Sequence, residues 1–207
     1  MIDTLLVITK QPLPGKVKTR LVPPLTYREA AELAEAALGD TLRVAAPVAT
    51  RRVVVLDGAP GPWLVPGWQV APQSGGGLDD RLAAAFADAG RGPTVLVGMD
   101  TPQLRARQLA AFDPARYDAC LGPAVDGGYW AIGFAEPAVA AAAIRGIPMS
   151  TVNTGAQQLR RMRALGLRVQ LLDTLEDIDT FDAALRVAEH VSSGAFARVL
   201  RARDRAA

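Results

Sequence analysis

All three lysines of the chain, Lys10, Lys16 and Lys18, fall within nine residues, while the other 20 of its 23 basic residues are arginines. They belong to the segment Lys10-Gln11-Pro12-Leu13-Pro14-Gly15-Lys16-Val17-Lys18-Thr19-Arg20-Leu21. Compact ammonium charges, a guanidinium and the open backbone around Gly15 suit the oxygens of a polyphosphate. The same residues would also make a solvated basic loop. The GxxxxGK[ST] spacing of a Walker A loop is missing, and so is GxGxxG, which argues against a dinucleotide cofactor. Lys18 and Arg20 stand two apart and point the same way if the segment is extended.

Four further segments carry residues with chemical use. In Gln73-Ser74-Gly75-Gly76-Gly77-Leu78-Asp79-Asp80-Arg81, the glycines let a flat ligand approach the backbone, and Gln73 offers the paired donor and acceptor a base edge needs. The bland alternative is a turn before a helix capped by Asp79. Val97-Gly98-Met99-Asp100-Thr101-Pro102 ends an apolar run in an acid, a place for Mg²⁺ or Mn²⁺ because hard cations prefer carboxylate oxygen. In Asp126-Gly127-Gly128-Tyr129-Trp130 an acceptor would rest on bare backbone beside an acid; a β-turn with core aromatics explains it equally. Asp177-Ile178-Asp179-Thr180 places two acids on one side of an extended segment, as further metal ligands or as helix caps. Between these, Pro148 to Thr154 supplies hydroxyls, Ser150 and Thr151 among them, that bind an acceptor or cap a helix. No Ser-His-Asp or Cys-His arrangement is credible: His190 falls in a helical pattern and Cys120 in an apolar run. A single cysteine forms no internal disulfide and, with one histidine, no structural zinc site.

The elements that must hold these residues alternate. Strands are predicted at Leu5–Ile8, Val53–Leu56, Trp68–Val70, Thr94–Val97, Tyr117–Leu121, Tyr129–Phe134 and Arg168–Leu172. Thr26 with Glu29 reads as a capping box, followed by apolar positions from Ala30 to Leu42 at helical spacing. Further helices are expected around Leu82–Phe86, from the Thr101-Pro102 cap toward Phe112, over Ala138–Ile144 and Thr154–Leu165, from the Thr180 cap to about Val191, and over Ala195–Arg203. Such alternation predicts a Rossmann-like α/β fold, a mainly parallel sheet with helices on both faces, over 1–207 as a single domain. Ligands of such sheets bind beyond the carboxyl ends of the strands, and the polar motifs follow strands.

With 207 residues, half of them hydrophobic and 21% charged, the composition is that of a chain with a real core. There is no basic leader and no apolar run near the ~20 residues of a membrane span, so a cytoplasmic protein is expected. A net charge of +2, scattered arginine and 5% aromatics exclude a nucleic-acid stripe. The arginines from Arg198 to Arg205 read as a solvated helix face or frayed tail.

The motifs in order, PxPGxVKTRL, glutamine with glycines and LxxR, GxDxPxL, DGGYW, PxST and DIDT, resemble bacterial glycosyltransferase-like proteins related to phospholactate guanylyltransferase and, more distantly, to the molybdenum-cofactor guanylyltransferases. The resemblance runs from Lys10 to about Asp182. It implies a GT-A-type nucleotide-diphospho-sugar transferase fold. It further implies that Lys18 and Arg20 neutralise phosphates, that Gln73 to Leu78 receive the base, and that Asp100 holds Mg²⁺ or Mn²⁺ with Asp177 or Asp179; the loop reading adds Lys10, Gly15 and Lys16 to the phosphate site. Asp126, Gly127 and Gly128 would border the acceptor, with Tyr129, Ser150 and Thr151 nearby; Met149 stands where many relatives carry tryptophan. The expected activity is transfer of a nucleotidyl group, guanylyl first, from a nucleoside triphosphate to a small acceptor, with Lys18, Arg20, Asp100 and Asp126 catalytic. Glycosyl transfer from a nucleotide sugar and non-catalytic nucleotide binding are the alternatives.

Overall fold

A computed structural model describes residues 1–191 and 193–204. Seven strands, β1 (Ile2–Lys10), β2 (Ala49–Asp57), β3 (Gln69–Pro72), β4 (Thr94–Val97), β5 (Ala119–Pro123), β6 (Tyr129–Phe134) and β7 (Val169–Leu171), form one sheet in the order β3-β2-β1-β4-β6-β5-β7. All pairings are parallel except those of β6, which runs antiparallel to both β4 and β5. The chain first builds outward from β1 through β2 to β3, then returns to the other side of β1 with β4. The crevice between the carboxyl ends of β1 and β4 is therefore a topological switch point, where sheets of this kind hold ligands.

Alternate residues of the central strands feed two opposite cores, as the two-residue period of a strand requires. Leu5, Val7, Val54, Val95 and Val97 pack with Ala31, Ala34, Leu38 and Leu42 of helix α1 (Tyr27–Ala45). Leu6, Val53, Val55, Leu96 and Ile132 face the other way, against Leu82, Ala85 and Phe86 of α2 (Leu78–Ala89). With them lie Ala143 and Ile144 of α4 (Ala140–Ile144) and Met162 of α5 (Thr154–Ala164). A third cluster covers the outer side of α1 with α6 (Phe181–Glu189) and α7 (Ala195–Asp204), through Leu33, Ala37, Val187, Phe196 and Leu200.

The predicted capping box forms: Thr26 N donates to Glu29 Oε2 at 2.8 Å and Glu29 N to Thr26 Oγ1 at 3.3 Å. Thr180 caps α6, accepting from Ala183 N at 3.2 Å. The Thr101-Pro102 helix start is corrected. Residues 101–104 make a turn, Leu104 N to Thr101 O, and the short helix α3 (Ala106–Ala110) opens only after Arg105. Lateral bonds explain the delay: Asp100 O accepts from Ile178 N, and Gln103 Nε2 donates to Glu176 O, so the chain after β4 is tied sideways before it can coil. The arginine-rich end is more than a solvated face, since Arg203 reaches Glu29 and Glu32 on α1; Arg205 lies outside the described residues.

Candidate active site

A cavity of about 520 Å³ opens at the switch point, within the range of ordinary ligand pockets. The last residue of β1, Lys10, and the segment after it, through Lys16 and Lys18, contribute to its lining. Buried Val17 anchors this segment in the core beneath α1, and Gln11 fastens its start, accepting from Ala59 N at 3.0 Å. Gly15, at φ 74°, makes the turn and does not reach the cavity.

Lys18, expected to meet phosphates, is not the solvated cation of the alternative reading. Its side chain is 7% exposed, its backbone is left-handed (φ 49°, ψ 37°), and Nζ lies 2.9 Å from Asp100 Oδ1. The contact is an ion pair without hydrogen-bond alignment, and Oδ1 is otherwise shut off without a partner. Because the Asp100 side chain as a whole is 40% exposed and lines the cavity, its remaining oxygen faces the ligand space. Non-glycine residues held left-handed are costly and cluster at functional sites. Arg20 does not line the cavity; it pairs with Asp179 at 2.5 Å, and that hydrogen bond, then the charge, raises its already high pKa. Lys18 and Arg20 thus each meet a different acid.

The acids come together. Asp126, Asp177 and Asp179 line the cavity with Asp100, although they derive from distant segments. The Ile178 N to Asp100 O bond docks the 177–179 segment beside β4. The 177–179 stretch is bent rather than extended, with Asp179 N donating to Asp177 O at 2.9 Å, so its two acids do not share one straight face. Burial raises the Asp177 pKa, and the charges of Asp126 and Asp100 add to it while Lys18 opposes. Among the described residues no three His, Cys, Asp or Glu side chains stand close enough to enclose a metal. Mg²⁺ commonly takes one or two carboxylates and completes its shell with water and phosphate. Asp100, with a free oxygen, and Asp177, crowded by like charge, fit that pattern.

Gln73 lines the cavity, but its amide is spent inside the protein. Nε2 donates to Thr9 O at 2.7 Å and Val55 O at 3.1 Å, and Oε1 accepts from Arg81 Nη1 at 3.0 Å. Leu78 lines the cavity; Gly75, Gly76 and Gly77 do not, and form the turn into α2, with Gly76 at φ 96°. The helix begins at Leu78 with Gly77 as its cap residue, and Asp79 instead accepts from Gly146 N at 2.8 Å.

On the far side, Gly128, Tyr129, Ser150 and Thr151 line the cavity and Gly127 does not. Gly127 (φ 88°) is required by the protein itself, because a Cβ there would collide with the carbonyl of Val152; its own carbonyl accepts from Gly155 N at 2.8 Å. Asp126 Oδ1 accepts from Gly128 N at 2.7 Å. Thr151 is used locally, its amide donating to Thr154 Oγ1 at 3.0 Å, whereas Ser150 sits at φ 59° on the cavity wall. Burial, then the Asp79 charge, pushes the Tyr129 hydroxyl pKa up, and its partner is the Met149 sulfur at 3.7 Å. Trp130 is core, its Nε1 donating to Asp173 O.

Of the apolar wall formed by Ile8, Leu78, Leu82 and Leu96, sequence reading named only Leu78, and it missed Arg81 as a site residue. The signal was present: Leu78-x-x-Arg81 was visible as a helix start, and Ile8 and Leu96 are strand residues near carboxyl ends.

The architecture is similar to several solved structures. A candidate nucleotide-diphospho-sugar transferase from Desulfovibrio desulfuricans G20 is 30% identical, covers 99% of this chain and 96% of its own, and superposes with a TM-score of 0.85. Rv0371c from Mycobacterium tuberculosis H37Rv, in complex with manganese, is 20% identical over 91% of this chain and 100% of its own, with a TM-score of 0.54. A nucleotidyl transferase from Methanothermobacter is 15% identical over 92% and 97%, with a TM-score of 0.56. The last two share the fold alone. The fold is therefore the α/β, GT-A-like one of nucleotide-diphospho-sugar transferases. No curated protein matches the chain. Across 31–151, more than half of the sequence, it matches the family of uncharacterized proteins conserved in bacteria designated DUF2064, and the chain belongs to that family.

Proposed function

We propose that the protein is a metal-dependent nucleotidyltransferase, guanylyltransferase-like, acting in the cytoplasm on a nucleoside triphosphate and a small-molecule acceptor. The observation that carries this reading is the meeting of the lysines at and after the end of β1 with four acids from three separate segments across one cavity. Three ammonium groups are generous for a diphosphate and suit a triphosphate. The motif order supports kinship with the phospholactate guanylyltransferases.

Lys10 and Lys16 neutralise phosphate oxygens, and Lys18, fixed beside Asp100, sets a positive charge where charge develops on the leaving group. Asp100 and Asp177 would hold the divalent cation, which supplies Lewis-acid charge against phosphate oxygens. Asp126, Gly128, Ser150 and Thr151 border the acceptor and align it. An acceptor oxygen bonds to the α-phosphorus, the bond to the bridging oxygen breaks, and pyrophosphate leaves with the electron pair. Arg20 supports the site from outside the cavity by holding Asp179.

Glycosyl transfer from a nucleotide sugar is the second reading, favoured by the Desulfovibrio relative. The protein with Mg²⁺, each nucleoside triphosphate and a panel of phosphorylated and carboxylated small acceptors should release inorganic pyrophosphate and form a nucleotidyl adduct. Consumption of nucleotide sugars alone, with release of nucleoside diphosphate, would replace the first reading with the second.

A further inference from the structure

Arg81 is a cation in an unusual place. It is the fourth residue of α2, where the helix dipole disfavours positive charge, yet it lines the ligand cavity. Among the described residues no carboxylate lies within ion-pair distance of it. Its contacts are Gln73 Oε1 at 3.0 Å and the Gly77 carbonyl at 3.4 Å. Gln73 is itself immobilised, since both its amide hydrogens go to carbonyls at the ends of β1 and β2. A half-buried guanidinium is thus aimed by a rigid amide and left with unused donors. Gln73, whose sequence position suggested a base reader, has no donor left to offer.

The surroundings separate two kinds of ligand chemistry. The lysines come from the end of β1 and the segment after it, whereas Arg81 stands on α2 between Leu78 and Leu82, which form the apolar wall with Ile8 and Leu96. An apolar surface beside a donor-only fork suits a flat heterocycle with acceptors on its edge better than a phosphate. Guanine presents two adjacent acceptors, O6 and N7, that match the fork; adenine replaces one with an amino donor, which a guanidinium cannot accept.

We infer that Arg81, positioned by Gln73, is the group that selects the nucleotide's base, and that it selects guanine over adenine. This rests on the nucleotide-binding reading above. A well-formed bidentate contact of this type discriminates roughly 5- to 150-fold.

The test is titration calorimetry of the full chain with GTP, ATP and inorganic tripolyphosphate, each with Mg²⁺. The wild type should prefer GTP over ATP by about tenfold or more. Arg81→Ala should bring the two nucleotides to near parity while leaving tripolyphosphate affinity unchanged. Arg81→Lys keeps the charge and the packing stem, so it controls for folding, and it too should lose the preference. Gln73→Leu should reduce the preference through Arg81 without touching tripolyphosphate. Survival of the GTP preference in Arg81→Ala and Arg81→Lys would overturn the inference, as would a parallel loss of tripolyphosphate, which would make Arg81 a phosphate ligand. A wild type that binds ATP as well as GTP sinks this inference and spares nucleotide binding; one that binds none of the three probes sinks both.

Discussion

Replacing Lys18 separates two effects that the structure superimposes at one residue. At 2.9 Å and an effective dielectric of about 20, the Coulomb attraction between Lys18 and Asp100 is about 6 kcal/mol before desolvation. Desolvation of the buried ammonium cancels much of this, and Asp100, 40% exposed, is rehydrated when its partner is removed. Losing the pair in Lys18→Ala should therefore cost about 2 kcal/mol, between the values for surface and buried pairs. The backbone contributes separately: a left-handed non-glycine residue costs about 1–2 kcal/mol, which glycine avoids. Glycine's freedom in the unfolded chain returns about 0.4–1 kcal/mol of that. Lys18→Gly should then be less stable than the parent but more stable than Lys18→Ala by about 0.5–1 kcal/mol. Urea titration reads this as a difference in midpoint at equal slope. Equal stability of the alanine and glycine variants would mean that the left-handed backbone at Lys18 costs nothing, and an alanine variant as stable as the parent that the ion pair contributes nothing.

Asp100→Asn should leave the fold intact and abolish the strengthening of nucleotide binding by Mn²⁺, measured as affinity with and without the ion; an unchanged dependence would remove Asp100 from the metal site. Gly127→Ala should cost more than about 2 kcal/mol in urea, because the new Cβ meets a backbone carbonyl rather than a movable side chain; tolerance would mean that the 127–128 and 152–155 segments are not packed as described. At the far end of the sheet, hydrogen bonds from Arg168 lower Asp118 from 3.8 to about 2. A depressed carboxylate stabilises above its unfolded pKa, and that contribution is lost as pH falls from about 4 through about 2. Both side chains are exposed, so the effect is small; Asp118→Asn should flatten stability against pH in that window, and an unaltered acid limb would contradict the assignment.

The elements were legible wherever local chemistry decided them. The Thr26–Glu29 box and the Thr180 cap are short-range bonds written in neighbouring residues, and the apolar runs of β1, β2 and β4 carry burial on both faces in their composition. The Thr101-Pro102 helix start failed because the deciding bonds, Asp100 to Ile178 and Gln103 to Glu176, join residues more than 70 positions apart. The same limit applies at the site. Residue type and position after strands located Lys18, Asp100 and Asp177 in one crevice, but Lys18 facing Asp100, Gln73 turning inward to Arg81, and Gly127 making room for Val152 rather than for a ligand are all long-range pairings. Glycine spacing signals close approach without saying what approaches.

On this reading, nucleotide phosphates and a divalent cation share the crevice between the ends of β1 and β4. Anomalous scattering from crystals grown with Mn²⁺ and GTP would locate both ligands. The predicted result is a manganese peak at Asp100 with the triphosphate between it and the lysine segment. Nucleotide density elsewhere on the molecule, or manganese bound away from Asp100, would place the site elsewhere and rule this arrangement out.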